Sequence, residues 1–295
     1  MLYLHIGLHK TATSSLQGSV FPNLKKIKYL GRVESGGVKA SDDLYREICD
    51  YCFSKGLSRQ LELELKKRIK EHLNKGDLLI SEEWFTADFD GFYGFEGATW
   101  QEKLKKLSNI VSDIEHKVLI TIREPLDASF SQYCEFYSVG LNKRYIDYLN
   151  YFKYSNDIKV FKYLELNALI NSYFCNVRYI TFDAIVNNTY HDSLSEFLNE
   201  TVNFNIQHLN KKNKNKDGTS INTTNKVLTS IIAIFPSYMR KKISKVDFIL
   251  KFKRKITTKN VTILRPDTET NKIFSIGFSD SIDFYENLKK SERDR

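Results

Sequence analysis

Residues 2–17 read LYLHIGLHKTATSSLQ, and their order decides the fold. Leu2, Leu4 and Ile6 form a short apolar run that stops at Gly7. A polar loop carrying Lys10, Thr11, Ala12, Thr13, Ser14 and Ser15 follows, and Leu16 resumes an apolar pattern. Run, loop and resumption predict a buried strand, a turn and a helix. If the helix opens within Thr13 to Ser15, its unpaired N–H groups, up to four hydroxyls and the Lys10 ammonium face one spot, which suits a phosphate or sulfate group. The plain alternative is an ordinary strand-to-helix turn with a solvated lysine. A Walker A loop, GxxxxGK[ST], does not fit, because only two residues separate Gly7 from Lys10 and the second glycine is missing.

Two later stretches repeat the pattern of a strand followed by polar residues. Leu78, Leu79 and Ile80 predict a buried strand, and Ser81, Glu82, Glu83, Trp84 and Phe85 follow at once. In doubly wound sheets the ligand crevice lies at the carboxyl ends of the strands, so a carboxylate here can reach the Lys10 loop. Glu82 and Glu83 can equally be the acidic start of a helix. Val118 to Ile122 predicts a β-branched strand that ends at Arg123, with Pro125 as the first residue of the next helix. Leu126, Phe130, Tyr133 and Tyr137 make that helix's apolar face, and Ser131 lies on the same helix. Arginine offers a bidentate fork to a phosphate and serine adds a donor. A surface pair between Arg123 and Glu124 or Asp127 is the competing reading.

Lys10-Thr11-Ala12-Thr13-Ser14 resembles the K-[ST]-G-[ST]-[ST] loop of sulfotransferases that use 3′-phosphoadenosine 5′-phosphosulfate (PAPS). IREPLDASFSQY resembles their 3′-phosphate segment, in which an Arg-x-Pro turn precedes a serine eight residues after the arginine; Arg123, Pro125 and Ser131 match. The resemblance covers roughly residues 1–140. It implies an α/β fold with a central parallel sheet flanked by helices, of the P-loop NTPase-like sulfotransferase type. It also implies PAPS as co-substrate without a metal, with Lys10, Thr11, Ala12, Thr13, Ser14 and Ser15 at the 5′-phosphosulfate and Arg123 and Ser131 at the 3′-phosphate. Ala12 stands where the family has glycine, and alanine disfavours a left-handed backbone, so negative φ is expected there. A carboxylate near the acceptor can take its proton; Glu82 matches that position better, with Glu83 in reserve. His9 reads as a loop side chain supporting the site. The ISEEWF segment and the Lys-rich carboxyl half look closest to bacterial carbohydrate sulfotransferases, so the implied acceptor is a glycan or glycolipid rather than a nucleic acid. Trp84, Phe85, Phe89, Phe92, Tyr93 and Phe95 are candidates to stack on sugar rings.

The chain has 295 residues and a net charge of +9, which favours an anionic partner without naming it. One domain is expected, with residues 1–200 as nucleotide-binding core and 201–295 as a basic loop and helices packed upon it. No leader-like segment precedes the first strand, and no apolar run reaches the ~18 residues of a membrane span. A cytoplasmic location is therefore expected, with peripheral membrane contact through the basic carboxyl half as an option. The four cysteines are scattered, and Cys49 and Cys52 read as helix packing, not as a metal site. Residues 203–224 read as a mobile loop whose Lys211 to Lys216 could close over a nucleotide. Residues 227–235 read as an apolar helix, and 240–259 as a basic amphipathic segment. Two other functions stay open: a kinase or nucleotidase using ATP and Mg²⁺, and a non-catalytic polyanion binder.

Overall fold

The protein is described by a computed structural model covering residues 1–32, 42–56, 58–88, 97–139, 145, 147–204, 206, 214–215, 218–224 and 258–294. Strand β1 (Leu2–Gly7) is buried at every residue, which is why its sequence is nearly continuously apolar. It pairs in parallel with β3 (Asp77–Ser81) on one side and β4 (His116–Ile122) on the other. The outer strands β2 (Ile27–Leu30) and β5 (Val177–Thr181) pair in parallel with β3 and β4, giving the order β2-β3-β1-β4-β5. From β1 the chain runs outward to β2, whereas from β4 it runs the opposite way to β5. The switch point of the sheet therefore lies between the carboxyl ends of β1 and β4.

Helices cover the sheet, and their ends follow local signals. α1 (Thr13–Ser19) succeeds β1 directly. Asp42 caps α2 (Asp43–Phe53) through Leu44 N–H, and Ser58 caps α3 (Arg59–Leu73). Thr99 and Glu102 form a capping box on α4 (Trp100–Val111). Pro125 opens α5 (Pro125–Val139) as the sequence predicts. Further along come α6 (Tyr148–Tyr154), α7 (Tyr163–Tyr173), α8 (Phe182–Val186) and α9 (His191–Leu198). A 3-10 stretch, Asn156–Phe161, precedes α7, with the break at Lys162. Cys49 and Cys52 are buried on α2 in the core.

Buried polar side chains tie the sheet together around the switch point. His5 on β1 shares hydrogen bonds with Ser81 (2.7 Å) and Thr121 (3.4 Å), and Gln17 of α1 donates to the Ser81 carbonyl at 3.1 Å. Because these groups are buried, each pairing avoids a desolvation penalty of roughly 1–3 kcal/mol.

The carboxyl-terminal helices α10 (Thr268–Gly277) and α11 (Ser279–Arg293) return to the core. Phe274, Phe278 and Tyr285 bury themselves there, and Glu292 accepts hydrogen bonds from the Thr181 backbone N–H (2.9 Å) and hydroxyl (2.5 Å) at the end of β5. Before them, β6 (Lys214–Asn215), β7 (Gly218–Thr224) and β8 (Thr258–Leu264) form a separate antiparallel sheet, and β7 packs against α5. This corrects the expected loop over 203–224 at residues 214–215 and 218–224: the Thr-rich stretch from Gly218 finds its partner in residues 258–264, far along the chain. The remaining expectations on Phe89, Phe92, Tyr93 and Phe95, on residues 211–213 and 216 of the Lys211 to Lys216 stretch, and on 227–235 and 240–257 lie outside the described residues. Among the described residues no helix is long and apolar enough to cross a membrane.

Candidate active site

The loop after β1 is held by its own side chains. Thr11 Oγ1 donates to the Leu8 carbonyl (2.6 Å) and meets Thr121 Oγ1 on β4 at 2.8 Å, while Thr13 Oγ1 reaches the same carbonyl at 3.4 Å. Two of the four candidate hydroxyls are thus occupied in shaping the loop. Ser14 is half-buried, whereas Ser15 is buried on the first turn of α1. Gly7 allows this closeness, since a Cβ there would collide with the Thr13 side chain.

Ala12 adopts φ 68°, ψ 16°, and Lys10 φ 67°. The expected negative φ at Ala12 is therefore wrong. A left-handed residue at this point lets the loop reverse so that the Ala12 carbonyl accepts from Ser15 N–H (2.9 Å) and Leu16 N–H (3.1 Å), starting α1. The family's glycine would adopt this conformation without strain; alanine adopts it because the surrounding hydrogen bonds over-determine it. Alternating left-handed residues turn successive N–H groups towards one concavity, the arrangement of an anion nest.

Arg123, just past β4, is 7% exposed. Its Nη1 donates to the Lys10 carbonyl (3.5 Å) and to Ser131 Oγ (3.4 Å), and its Nη2 pairs with Asp127 (3.0 Å). Phe182 stacks beneath the guanidinium at 4.6 Å. The Asp127 pairing foreseen as an alternative does form, but with a buried arginine that also spans the two motifs. Arg265, just past β8, takes the other Asp127 oxygen at 2.8 Å. Burial would raise the Asp127 carboxyl, and Arg123 and Arg265 hold it below its ordinary value. Lys10, Arg123 and Ser131 thus meet at the switch point from positions up to 121 residues apart.

Glu82 and Glu83 follow β3 on the other side of β1 and differ sharply. Glu82 is 2% exposed, and its carboxylate accepts from Arg32 Nη2 (3.0 Å), Arg32 Nε (3.3 Å), Trp84 N–H (2.9 Å) and the Tyr45 hydroxyl. Every lone-pair direction of that carboxylate is engaged. Glu83 has one Arg32 contact at 3.4 Å and keeps 16% of its side chain exposed. Burial pushes its carboxyl up to about 7; the charges of Glu82 and Glu135 add to the rise, and those of Arg32 and Lys10 oppose it. The turn that carries Glu83 is pinned by Thr86 Oγ1 donating to the Gly7 carbonyl (3.1 Å), and by the Lys103 ammonium on the Trp84 (3.2 Å) and Ala87 carbonyls.

Arg32, which the sequence reading missed, stands two residues past β2. Burial alone would lower its basicity, but Glu82 and Glu83 raise it, so it stays charged. The signal was available in principle: like Lys10, Glu82 and Arg123, it follows the carboxyl end of a parallel strand. Glu135 was missed as well; it pairs with Lys10 Nζ at 2.7 Å from α5, one turn beyond Ser131. His9 is 3% exposed, edge-on to Trp84 (4.8 Å) and Phe136 (5.4 Å), and burial lowers its pKa to about 3, so it is neutral. Trp84 lies nearly parallel to Phe136 at 6.1 Å, so it is engaged in packing.

The fold defines the class: a parallel α/β sheet with cationic and hydroxyl groups gathered at its switch point. No family model matches the chain, and no curated protein matches it by sequence. Among solved structures it is similar to a sulfotransferase from Alicyclobacillus acidocaldarius, at 13% identity and a TM-score of 0.42, over 71% of this chain and 85% of that one.

Proposed function

We propose that this protein transfers a sulfuryl group from PAPS to a hydroxyl or amine of an acceptor, a glycan or glycolipid. One observation carries the reading: Arg123 bridges the Lys10 loop and Ser131 across the switch point. A nucleotide with phosphates at both its 5′ and 3′ positions needs two anion sites, and in this reading the β1 and β4 ends serve as one each. In this reading the nest at Lys10 to Ser14 holds the 5′ end and Arg123 with Ser131 holds the 3′-phosphate.

The reaction forms a bond from the acceptor's oxygen or nitrogen to sulfur and breaks the bond between sulfur and the bridging oxygen, so negative charge grows on the departing 5′-phosphate. Lys10 and the loop N–H groups stabilise that charge as preorganised donors. Glu83 takes the acceptor's proton, since a base is most effective when its pKa lies near the working pH. Glu82 holds Arg32 and, through it, the position of Glu83. This reverses the preference for Glu82 that position alone suggested.

Calorimetric titration of EDTA-treated protein with 3′-phosphoadenosine 5′-phosphate (PAP), AMP and ATP, with and without Mg²⁺, tests the reading. Metal-free binding of PAP in preference to AMP, lost in Arg123→Ala, is the expected result. Binding of ATP only with Mg²⁺ would favour a kinase, and binding of none of the three a polyanion binder.

A further inference from the structure

The Lys10 ammonium, which the proposed donor needs, is already paired. Its Nζ lies 2.7 Å from Glu135 Oε2, and the two side chains are 23% and 41% exposed. Glu135 sits four residues after Ser131, so one face of α5 carries both the hydroxyl that meets Arg123 and the carboxylate that meets Lys10. A carboxylate beside an anion site opposes anion binding twice. It occupies the cation, and it repels the ligand's charge.

We infer that Glu135 is a positioning residue that acts through Lys10: it competes with the nucleotide's 5′-phosphate for the ammonium. The inference rests on the sulfuryl-transfer reading above. When the donor binds, Lys10 leaves Glu135 for the 5′-phosphate and stays there through transfer; as PAP departs, Glu135 takes Lys10 back and so weakens the hold on it. The pair thereby trades donor affinity for product release, a step that limits many enzymes. Glu135 remains close enough to raise the Glu83 carboxyl, so the same carboxylate links the Lys10 position to the proposed base.

The test is calorimetric and stopped-flow binding of PAP to wild type, Glu135→Gln, Lys10→Ala and the double variant. An exposed carboxylate near a bound anion should make Glu135→Gln bind PAP about three- to tenfold more tightly, mainly through slower dissociation. In the Lys10→Ala background the gain should shrink to about twofold or less, because the competition needs the ammonium and only the screened direct repulsion remains. A purely structural Glu135 would produce no gain. PAP binding that is unchanged or weaker in Glu135→Gln, with wild type still binding PAP, overturns this inference alone. No PAP binding by any of the four proteins overturns the reading beneath it as well.

Discussion

Replacing Ala12 by glycine should stabilise this protein, although most substitutions destabilise. Ala12 holds φ 68°, ψ 16° at the N-cap of α1 with no side-chain cap. The left-handed region costs an L-residue with a Cβ roughly 1–2 kcal/mol, and glycine escapes that cost. Against it stands glycine's larger loss of backbone freedom on folding, roughly 0.5–1 kcal/mol. Glycine also serves better than alanine at an N-cap, by roughly half a kcal/mol. The balance favours Ala12→Gly by about 1 kcal/mol, which in a chain of this size corresponds to a rise in Tm of about 2–4 °C. Urea unfolding should show a higher midpoint with an unchanged m-value. Ala12→Val should move the midpoint the other way, because a β-branched residue is a worse occupant of this region. The loop keeps its shape in Ala12→Gly, so PAP affinity should stay within about twofold. An unchanged or lowered midpoint in Ala12→Gly would refute the left-handed loop and the anion nest drawn from it.

Other consequences concern the two glutamates and the buried His9. Turnover should rise with pH and reach half its maximum near pH 7, where Glu83 loses its proton, and Glu83→Gln should cost about 10²–10⁴-fold in kcat with little change in PAP affinity. Equal losses in Glu82→Gln and none in Glu83→Gln would restore the positional assignment. Glu82→Ala strands Arg32 beside a buried cavity and should cost about 2–3 kcal/mol in urea unfolding, the low end for a buried pair because Arg32 remains 25% exposed. His9 has a folded pKa of about 3 against 6.5 unfolded, so its contribution to stability is complete above pH 6.5 and is lost as pH falls towards 3. In His9→Phe the fall in stability between pH 7 and pH 4.5 should therefore be about 2–3 kcal/mol smaller than in wild type. Glu83, with its raised pKa, acts with the opposite sign over pH 4.5 to 7 in both proteins, so it cancels from the comparison.

The features legible in the sequence are those encoded over a few neighbouring residues. The apolar run before Gly7, the Lys10 loop and the Arg123-x-Pro125 turn each declare a strand end, and the all-parallel sheet follows from their repetition. What stayed hidden depends on contacts between distant segments. Arg32 is a lone basic residue after a four-residue strand, and only burial against Glu82 and Glu83 sets it apart. The proposed choice of Glu83 over Glu82 rests on which carboxylate Tyr45 and Arg32 saturate, and adjacent letters carry no trace of that. Ala12 misled because propensity argued against a conformation that the Leu8, Ser15 and Leu16 hydrogen bonds impose. Residues 218–224 look like a polar loop until their partner at 258–264 is known.

The most direct test is a crystal structure of the complex with PAP, grown from EDTA-treated protein. The account predicts the 5′-phosphate within about 3 Å of the Lys10 ammonium and the N–H groups of Thr13 and Ser14, with the 3′-phosphate at similar distance from Arg123 and Ser131. It also predicts that the 2.7 Å contact between Lys10 and Glu135 is broken. PAP bound away from the β1 and β4 ends, or bound there with its phosphates exchanged, would contradict it.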